Sequence, residues 1–450
     1  MSPTPNHADA PRGLWAIGRA LSNRNYRLFF GGQGISLIGT WMTRIATGWL
    51  VFQLSDPERA AFWLGVVGFM GQVPALFLGP LAGALVDRWN RQRLLIVTQV
   101  LSLVQSAGLA VVAFAGPPGQ ATIWAVIGLA FFQGLINSFD MPGRQAFLVE
   151  MVARREDLPN AIALNSSLVN GARLVGPSLA GVVIALMAVG WCFVIDAVSY
   201  VAVIAALLAM TVSARRPERR APIWQGVVEG FRYAFGFAPI RSLLLLLALV
   251  SFMGMPYSVL MPIFAVDILH GGAYAYGFLM AASGVGALVG ALHLAARHSV
   301  VGLGRTIIIA SSVFGIGLIG FGLSRLFWLS MGLLLLTGFG MMVQMAASNT
   351  ILQTIVDEDK RGRVMSFYSM AFLGTAPFGS LFAGALAGWI GAPYTVVIGG
   401  IACLTGAGLF ALHLPRLRVL VRPIYIRMGI LPEMAAGLST ATEYTQPPQD

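Results

Sequence analysis

The stretch Gly83-Ala-Leu-Val-Asp-Arg-Trp-Asn-Arg-Gln-Arg93 puts one acid and three arginines in a short loop between two long apolar runs. Hydrocarbon cannot solvate such charges, so the loop must stand at a membrane face. The flanking runs, 61–86 and 94–115, each exceed the roughly 20 apolar residues that a spanning helix needs. Ten more runs repeat the pattern, at 28–54, 120–139, 161–188, 191–212, 242–266, 274–296, 306–324, 327–355, 364–390 and 393–414. The expected fold class is an all-α polytopic membrane protein with twelve transmembrane helices.

Composition agrees. The chain is 57% hydrophobic and 10% charged, with a mean hydropathy of +0.77, far outside the range of soluble domains. Its 53 glycines suit close helix packing in lipid. Cys192 and Cys403 both fall inside apolar runs, which gives no disulfide framework, zinc spacing or redox pair. Met1 to Arg12 is polar and lacks an apolar signal core, so the first run is expected to act as an uncleaved insertion signal.

The net charge of +11 raises the question of nucleic acid, and its distribution answers it. With the N-terminus in the cytoplasm and twelve alternating helices, only Arg59 and Arg325 fall outside, and Arg44 and Arg173 fall within helices. Every other basic residue is cytoplasmic, as the positive-inside rule requires. The charge therefore records topology and allows contact with anionic lipid headgroups. No nucleic-acid partner is expected. The orientation read from this pattern puts both termini in the cytoplasm.

The longest polar break, 213–241, divides the helices six and six. The expected organisation is a cytoplasmic segment 1–27, a six-helix bundle 28–212, a linker 213–241, a second bundle 242–414, and a cytoplasmic tail 415–450 with a disordered end. Leu14, Trp15, Ile17 and Leu21 could form a short interfacial helix. The halves resemble each other. Gly176-Pro-Ser-Leu-Ala-Gly181 in the fifth run has a counterpart in Pro377-Phe-Gly-Ser-Leu-Phe-Ala-Gly384 of the eleventh. The fourth and tenth runs carry amides, Gln133 and Asn137 in one, Gln344, Asn349 and Gln353 in the other. Six plus six with internal similarity is the mark of a repeat-built transporter whose site lies at the interface of the halves.

The opening loop resembles the G-x-L-x-D-R-x-G-R-x-x loop between the second and third helices of the major facilitator superfamily. Gly83, Leu85, Asp87, Arg88 and Arg91 match it, and Asn90 stands where the pattern has Gly. Asn tolerates a left-handed backbone, so a turn can survive the change. The resemblance implies the fold of two pseudo-symmetric six-helix bundles. It also implies a cytoplasmic gate in which Asp87 faces the N-terminal dipole of the eleventh helix, near Arg363 to Ser366. Arg91 would brace the gate through Asp140. The plainer alternative makes Asp87 and the arginines headgroup anchors. The equivalent stretch Gly290-Ala-Leu-His-Leu-Ala-Ala-Arg-His298 has no acid, so a second latch there would be degenerate.

Gly171, Gly176, Pro177, Ala180 and Gly181 resemble the G-x-x-x-x-G-P-x-x-G-G run of antiporter branches, with Ala180 in place of one Gly. Plain helix packing explains the same residues. Asn137-Ser-Phe-Asp-Met-Pro-Gly-Arg-Gln-Ala-Phe147, Leu158-Pro-Asn-Ala-Ile-Ala-Leu-Asn165, Asn170-Gly-Ala-Arg173 and Leu37-Ile-Gly-Thr-Trp41 are similar to the enterobactin-exporter-like branch. That branch implies export of siderophores or other small molecules, driven by the proton gradient, with no cofactor.

Arg44, Arg173 and Asp196 are the ionisable residues within helices, and each costs about 2.5–3.5 kcal/mol to insert unless paired or wet. Arg173 shares a helical face with Ser166, Asn170 and Pro177. The expected pathway comprises Arg44, Gln133, Asn137, Asn170, Arg173, Gln344 and Asn349. The sixth helix is usually peripheral in this superfamily, which makes Asp196 a structural partner or near-interface acid and leaves Asp87 and Asp140 as candidate proton carriers. Two arginines against one carboxylate suit an anionic or neutral solute. Trp41, Trp49, Phe131, Phe132, Tyr257 and Phe367 could stack on a ligand or simply pack, and Met253, Met255, Met341, Met342 and Met345 could give an adaptable wall.

The leading expectation is a monomeric, proton-driven exporter. The alternatives are a facilitative or import carrier or a lipid flippase on the same fold, and a polytopic enzyme or receptor. His7, His270, His293, His298 and His413 are scattered, with no G-x-S-x-G, H-E-x-x-H or phosphate loop, which argues against an enzyme.

Overall fold

The computed structural model describes residues 19–86, 88–152, 154–211, 231–297, 299–358 and 360–430. Asp87, the linker core and the last twenty residues lie outside them, as do most of the proposed interfacial helix and His298.

Among the described residues, twelve helices are long and apolar enough to cross a membrane. They are α1 (Arg24–Leu54), α2 (Ala60–Gly79, helical on to Val86), α3 (Arg91–Ala115), α4 (Gln120–Met151), α5 (Leu158–Leu186), α6 (Gly190–Leu208), α7 (Ala238–Ile268), α8 (Gly272–Ala295), α9 (Leu303–Leu323), α10 (Phe327–Ile355), α11 (Arg361–Ile390) and α12 (Ala392–Arg427). No strand occurs among the described residues. Loops α1–α2, α3–α4, α5–α6, α7–α8, α9–α10 and α11–α12 are tight turns. Alternation places them all at one end of the bundle, the short-loop end. The charged loops and the described chain termini occupy the other, the terminal end.

The packing repeats with an offset of six helices. Pairs α1–α6, α3–α6, α3–α4 and α2–α4 recur as α7–α12, α9–α12, α9–α10 and α8–α10. The halves meet through α2 on α11 and α5 on α8, which are themselves equivalent under that offset. This is the two-bundle, pseudo-symmetric architecture.

Boundaries differ from the expected ones where charges find partners. α4 runs to Met151 rather than stopping at 139, because Asp140 pairs with Arg144 and Glu150 with Arg91 (2.5 Å). α12 continues through Pro415 and Pro423 to Arg427, so the expected tail from 415 begins as helix. The segment 231–236, assigned to the linker, is helical and joins α7. α7 is irregular: π turns at Val250–Gly254 and Phe264–Ile268 flank a 3-10 turn at Met255–Ser258, in a stretch with Pro256 and Pro262. α11 carries a π turn, Met370–Gly374, just before Pro377. Proline removes a ladder hydrogen bond, and the helix absorbs the loss by widening or tightening locally.

The outer surface is apolar, as lipid requires. Trp124, Trp191, Trp328, Trp389 and Tyr394 are exposed, and all sit near the short-loop ends of their helices. They form an aromatic belt at one interface. Helix contacts inside each bundle rest on glycine. A Cβ at Gly286 of α8 would overlap the Leu335 carbonyl of α10, and one at Gly338 of α10 would overlap that of Ser283. Backbone cannot give way, so Gly286→Ala should cost about 1–3 kcal/mol. The expected result is a lower thermal midpoint and folded yield in detergent, while Ala at Gly332, which faces open space, leaves both unchanged.

Candidate transport cavity

A cavity of about 800 Å³ lies between the bundles, within the range for small-molecule sites. Its geometry follows from the helix period. Leu37, Thr40, Trp41, Arg44 and Gly48 line it from α1, at spacings of three, four, seven and eleven. Ile162, Ser166, Val169, Arg173 and Pro177 line it from α5 in the same manner. These are single helix faces.

Three contacts close the short-loop end. α2 meets α11 where a Cβ at Gly65 would come within 2.9 Å of Gly384 Cα. α5 meets α8 where a Cβ at Gly181 would come within 2.9 Å of Gly277 Cα. Trp49 of α1 stacks on Tyr276 of α8, with centroids 5.9 Å apart and planes at 19°. The halves of α4 and α5 toward the terminal end leave Met141, Ile162, Ser166 and Val169 exposed on the cavity wall. The cavity is therefore sealed at the short-loop end and open toward the terminal end.

Arg44 and Arg173 form its floor. Their guanidinium carbons lie 5.3 and 5.2 Å from the centroid of Trp41. Such cation–π contacts contribute about 0.5–2 kcal/mol each. Among the described residues neither arginine has an ion-pair partner. Arg44 sits deep in the protein yet is exposed, because it opens onto the cavity. Tyr257 and Tyr276 face the arginines from the second bundle, with the Tyr257 hydroxyl 2.6 Å from Ser283 Oγ. Met255 and Met341 also line the wall.

One wall is a polar seam that the sequence reading did not isolate. Thr98, Gln99, Ser102, Gln105 and Ser106 of α3 are all buried, at helical spacings of one, four, seven and eight. At one end Thr98 Oγ1 (2.9 Å) and Gln99 Nε2 (2.7 Å) donate to Asp140 Oδ1, whose other oxygen takes Arg144. In the middle Gln133 Nε2 donates to Ser102 Oγ (3.3 Å) and to Asn137 Oδ1 (3.1 Å). At the other end Ser106 Oγ donates to Asp196 Oδ2 at 2.7 Å.

Several expected site residues are placed elsewhere. Arg91 reaches Glu150, and Asp140 reaches Arg144, so Asp140 is not the brace expected for Arg91. The two acids lie about three helical turns apart on α4, and the nearer cation takes each. Gln344 is only 1% exposed and turns its amide toward Ser348 within α10, away from the cavity. Asn349 accepts from Gln353 at 2.5 Å and also lies off the lining. α10 buries Gln344 within the second bundle and offers Met341 to the cavity instead, while Asn349 stays half-buried beside the exposed Gln353. Asn170 sits one position off the α5 lining face, with its amide on the Ser166 carbonyl (2.9 Å). Gly176 packs toward α1, where a Cβ on it would stand 2.6 Å from Trp41 Cβ, while Pro177 lines the cavity. Gly83 lies in the last turns of α2 and Arg88 is exposed beyond it.

The family model described as transmembrane secretion effector matches residues 18–422. The Staphyloferrin A transporter of Staphylococcus aureus is 26% identical over 84% of this chain and 94% of its own length. Multidrug efflux pump Tap of Mycolicibacterium fortuitum is 25% identical over 85% of this chain and 93% of its own. Among solved structures, a bacterial homologue of the iron transporter ferroportin superposes with a TM-score of 0.65 at 16% identity, covering 86% of this chain and 98% of that one. These relatives are transporters rather than enzymes, and the chain belongs to the transmembrane secretion effector family of the major facilitator superfamily.

Proposed function

We propose that this protein is a proton-coupled exporter of a small anionic or neutral amphipathic molecule, siderophore-like or drug-like, acting by alternating access as a monomer in a bacterial cytoplasmic membrane. The observation that carries the substrate class is the cavity floor: two arginines without an ion-pair partner among the described residues, set on an indole and ringed by apolar wall. A buried cation is costly unless wet or paired, so a bound anion would relieve it. Export accords with the arginine asymmetry, which assigns the open terminal end to the cytoplasm, and with the relatives that efflux drugs or transport a siderophore. Gly83, Asp87, Arg88 and Arg91 would close that end in the opposite state, with Arg91 held to α4 through Glu150.

The reading is tested by comparing secreted and intracellular small molecules in cells with and without the protein. The metabolite that shifts is then followed in everted membrane vesicles. An imposed proton gradient should drive its accumulation at least about tenfold, equivalent to about 1.4 kcal/mol per coupled proton and pH unit. Accumulation that ignores the gradient would leave a facilitative carrier, and identical metabolite profiles would defeat export.

A further inference from the structure

We propose that Asp196 is the acid that carries the coupling proton, exchanging it with the cavity it borders; this rests on the proton-coupled reading above. Three acids lie in or beside the spanning core of the first bundle, and their surroundings differ in kind. Asp140 and Glu150 each hold an arginine. An oxygen of each is taken up by these ion pairs in this conformation. Asp196 is 1% exposed and no described cation pairs with it.

Hydroxyls face it instead. Ser106 of α3 donates at 2.7 Å, and Ser199 of α6 stands at 3.5 Å. Thr43 of α1 also faces it, its Oγ1 having no other partner. Hydroxyls donate to a carboxylate and accept from a carboxylic acid, so the same shell serves both protonation states. The titratable neighbours are Cys192 and Tyr200, both on α6. α1 approaches through Gly39 and turns the next arginine, Arg44, onto Trp41. α3 presents only Gln105 and Ser106.

The position links proton and substrate. Asp196 stands on the α1–α6 contact beside Gly39, on the helix that carries Arg44, and borders the same cavity. With the short-loop end closed, its proton leaves directly to water in the cavity that Asp196 borders. The O–H bond of the carboxyl breaks, and the negative charge left on Asp196 and the α1 shift it favours accompany substrate loading. With that end open, Asp196 takes a proton from the opposite side.

The test needs no substrate. Spin labels on Glu58→Cys and Leu326→Cys, exposed in the short-loop turns of the two bundles, report whether that end is open. The native Cys192 and Cys403 are buried and remain unlabelled. In the full-length protein the label distance should switch between mildly acidic and mildly alkaline pH. Asp196→Asn should abolish the switch, and Asp196→Glu should restore it. Ser106→Ala should fold normally and move the midpoint to higher pH, because a donor to the charged form is lost. An Asp196→Asn protein that switches like the parent, or a Ser106→Ala midpoint that does not move, overturns the proposal. If the parent's transport in vesicles is gradient-dependent in that case, only this assignment fails. If parental transport ignores the gradient, the proton-coupled reading fails and takes this assignment with it.

Discussion

Combining Gly65→Val with Gly181→Val is expected to trap the protein with its short-loop end open and to cut transport by about 30-fold or more. The closed end is held by backbone against backbone. A Cβ at Gly65 would lie 2.7 Å from the Ser380 carbonyl oxygen, and one at Gly181 would lie 3.0 Å from that of Ala273. Neither neighbour is a side chain that can swing away. Overpacking costs about 1–3 kcal/mol per site, and the two sites lie on separate helix pairs, so the costs should add. At about 1.4 kcal/mol per tenfold, the sum of roughly 2–6 kcal/mol moves the equilibrium by about 30-fold to about twenty-thousand-fold. Contacts within each bundle are untouched, so folded yield and thermal midpoint should hold. Label distances across the short-loop end and flux in vesicles read the two consequences. Normal flux in a correctly folded double variant would mean that these glycines do not form the closing contact.

That seal also shows what a sequence can and cannot display. The twelve runs and the six-plus-six division were legible because lipid imposes one length and one polarity on every span. Arg44 and Arg173 were legible because a charge inside an apolar run stands out. The seam on α3 left a signal as well: Thr98, Gln99, Ser102, Gln105 and Ser106 share one helical face. Neutral polar residues are common in membrane helices, so such a face stands out far less than a charge does. Gln344 and Asn349 show the opposite error. An amide in a helix does not say which face meets the cavity: Gln344 is buried with its amide toward Ser348, and Asn349 bonds Gln353 off the lining. The partner of Arg91 is set by tertiary geometry alone, since Glu150 lies 59 residues on. Asp196 was discounted because its helix is peripheral as a whole, although the face that carries it packs inward on α1 and α3. The gate acid Asp87 remains a proposal from its loop pattern, since it lies outside the described residues.

Replacing both floor arginines should erase the preference for anions. Arg44 and Arg173 come from different helices of one bundle and converge on Trp41, so a single anionic group on the floor can meet both. Hydrogen bonds to charged groups contribute about 1.5–3 kcal/mol each, roughly ten- to hundredfold per arginine. Arg44→Gln and Arg173→Gln should each lower transport of an anionic probe by at least about tenfold, and the double variant by about a hundredfold or more. A neutral analogue of the same size should lose far less, because apolar walls and hydroxyls remain. Arg173→Lys keeps the charge but gives up the planar guanidinium that stacks on the indole, so it should fall between parent and Gln. The measurement is vesicle flux of the matched anionic and neutral pair under one imposed gradient. The decisive quantity is the ratio of the two fluxes. A ratio that collapses toward one identifies the floor as the anion site. Equal losses for both probes would instead assign the arginines to holding α1 against α5, with Trp41 as the shared clasp, and the cavity would then select by shape alone.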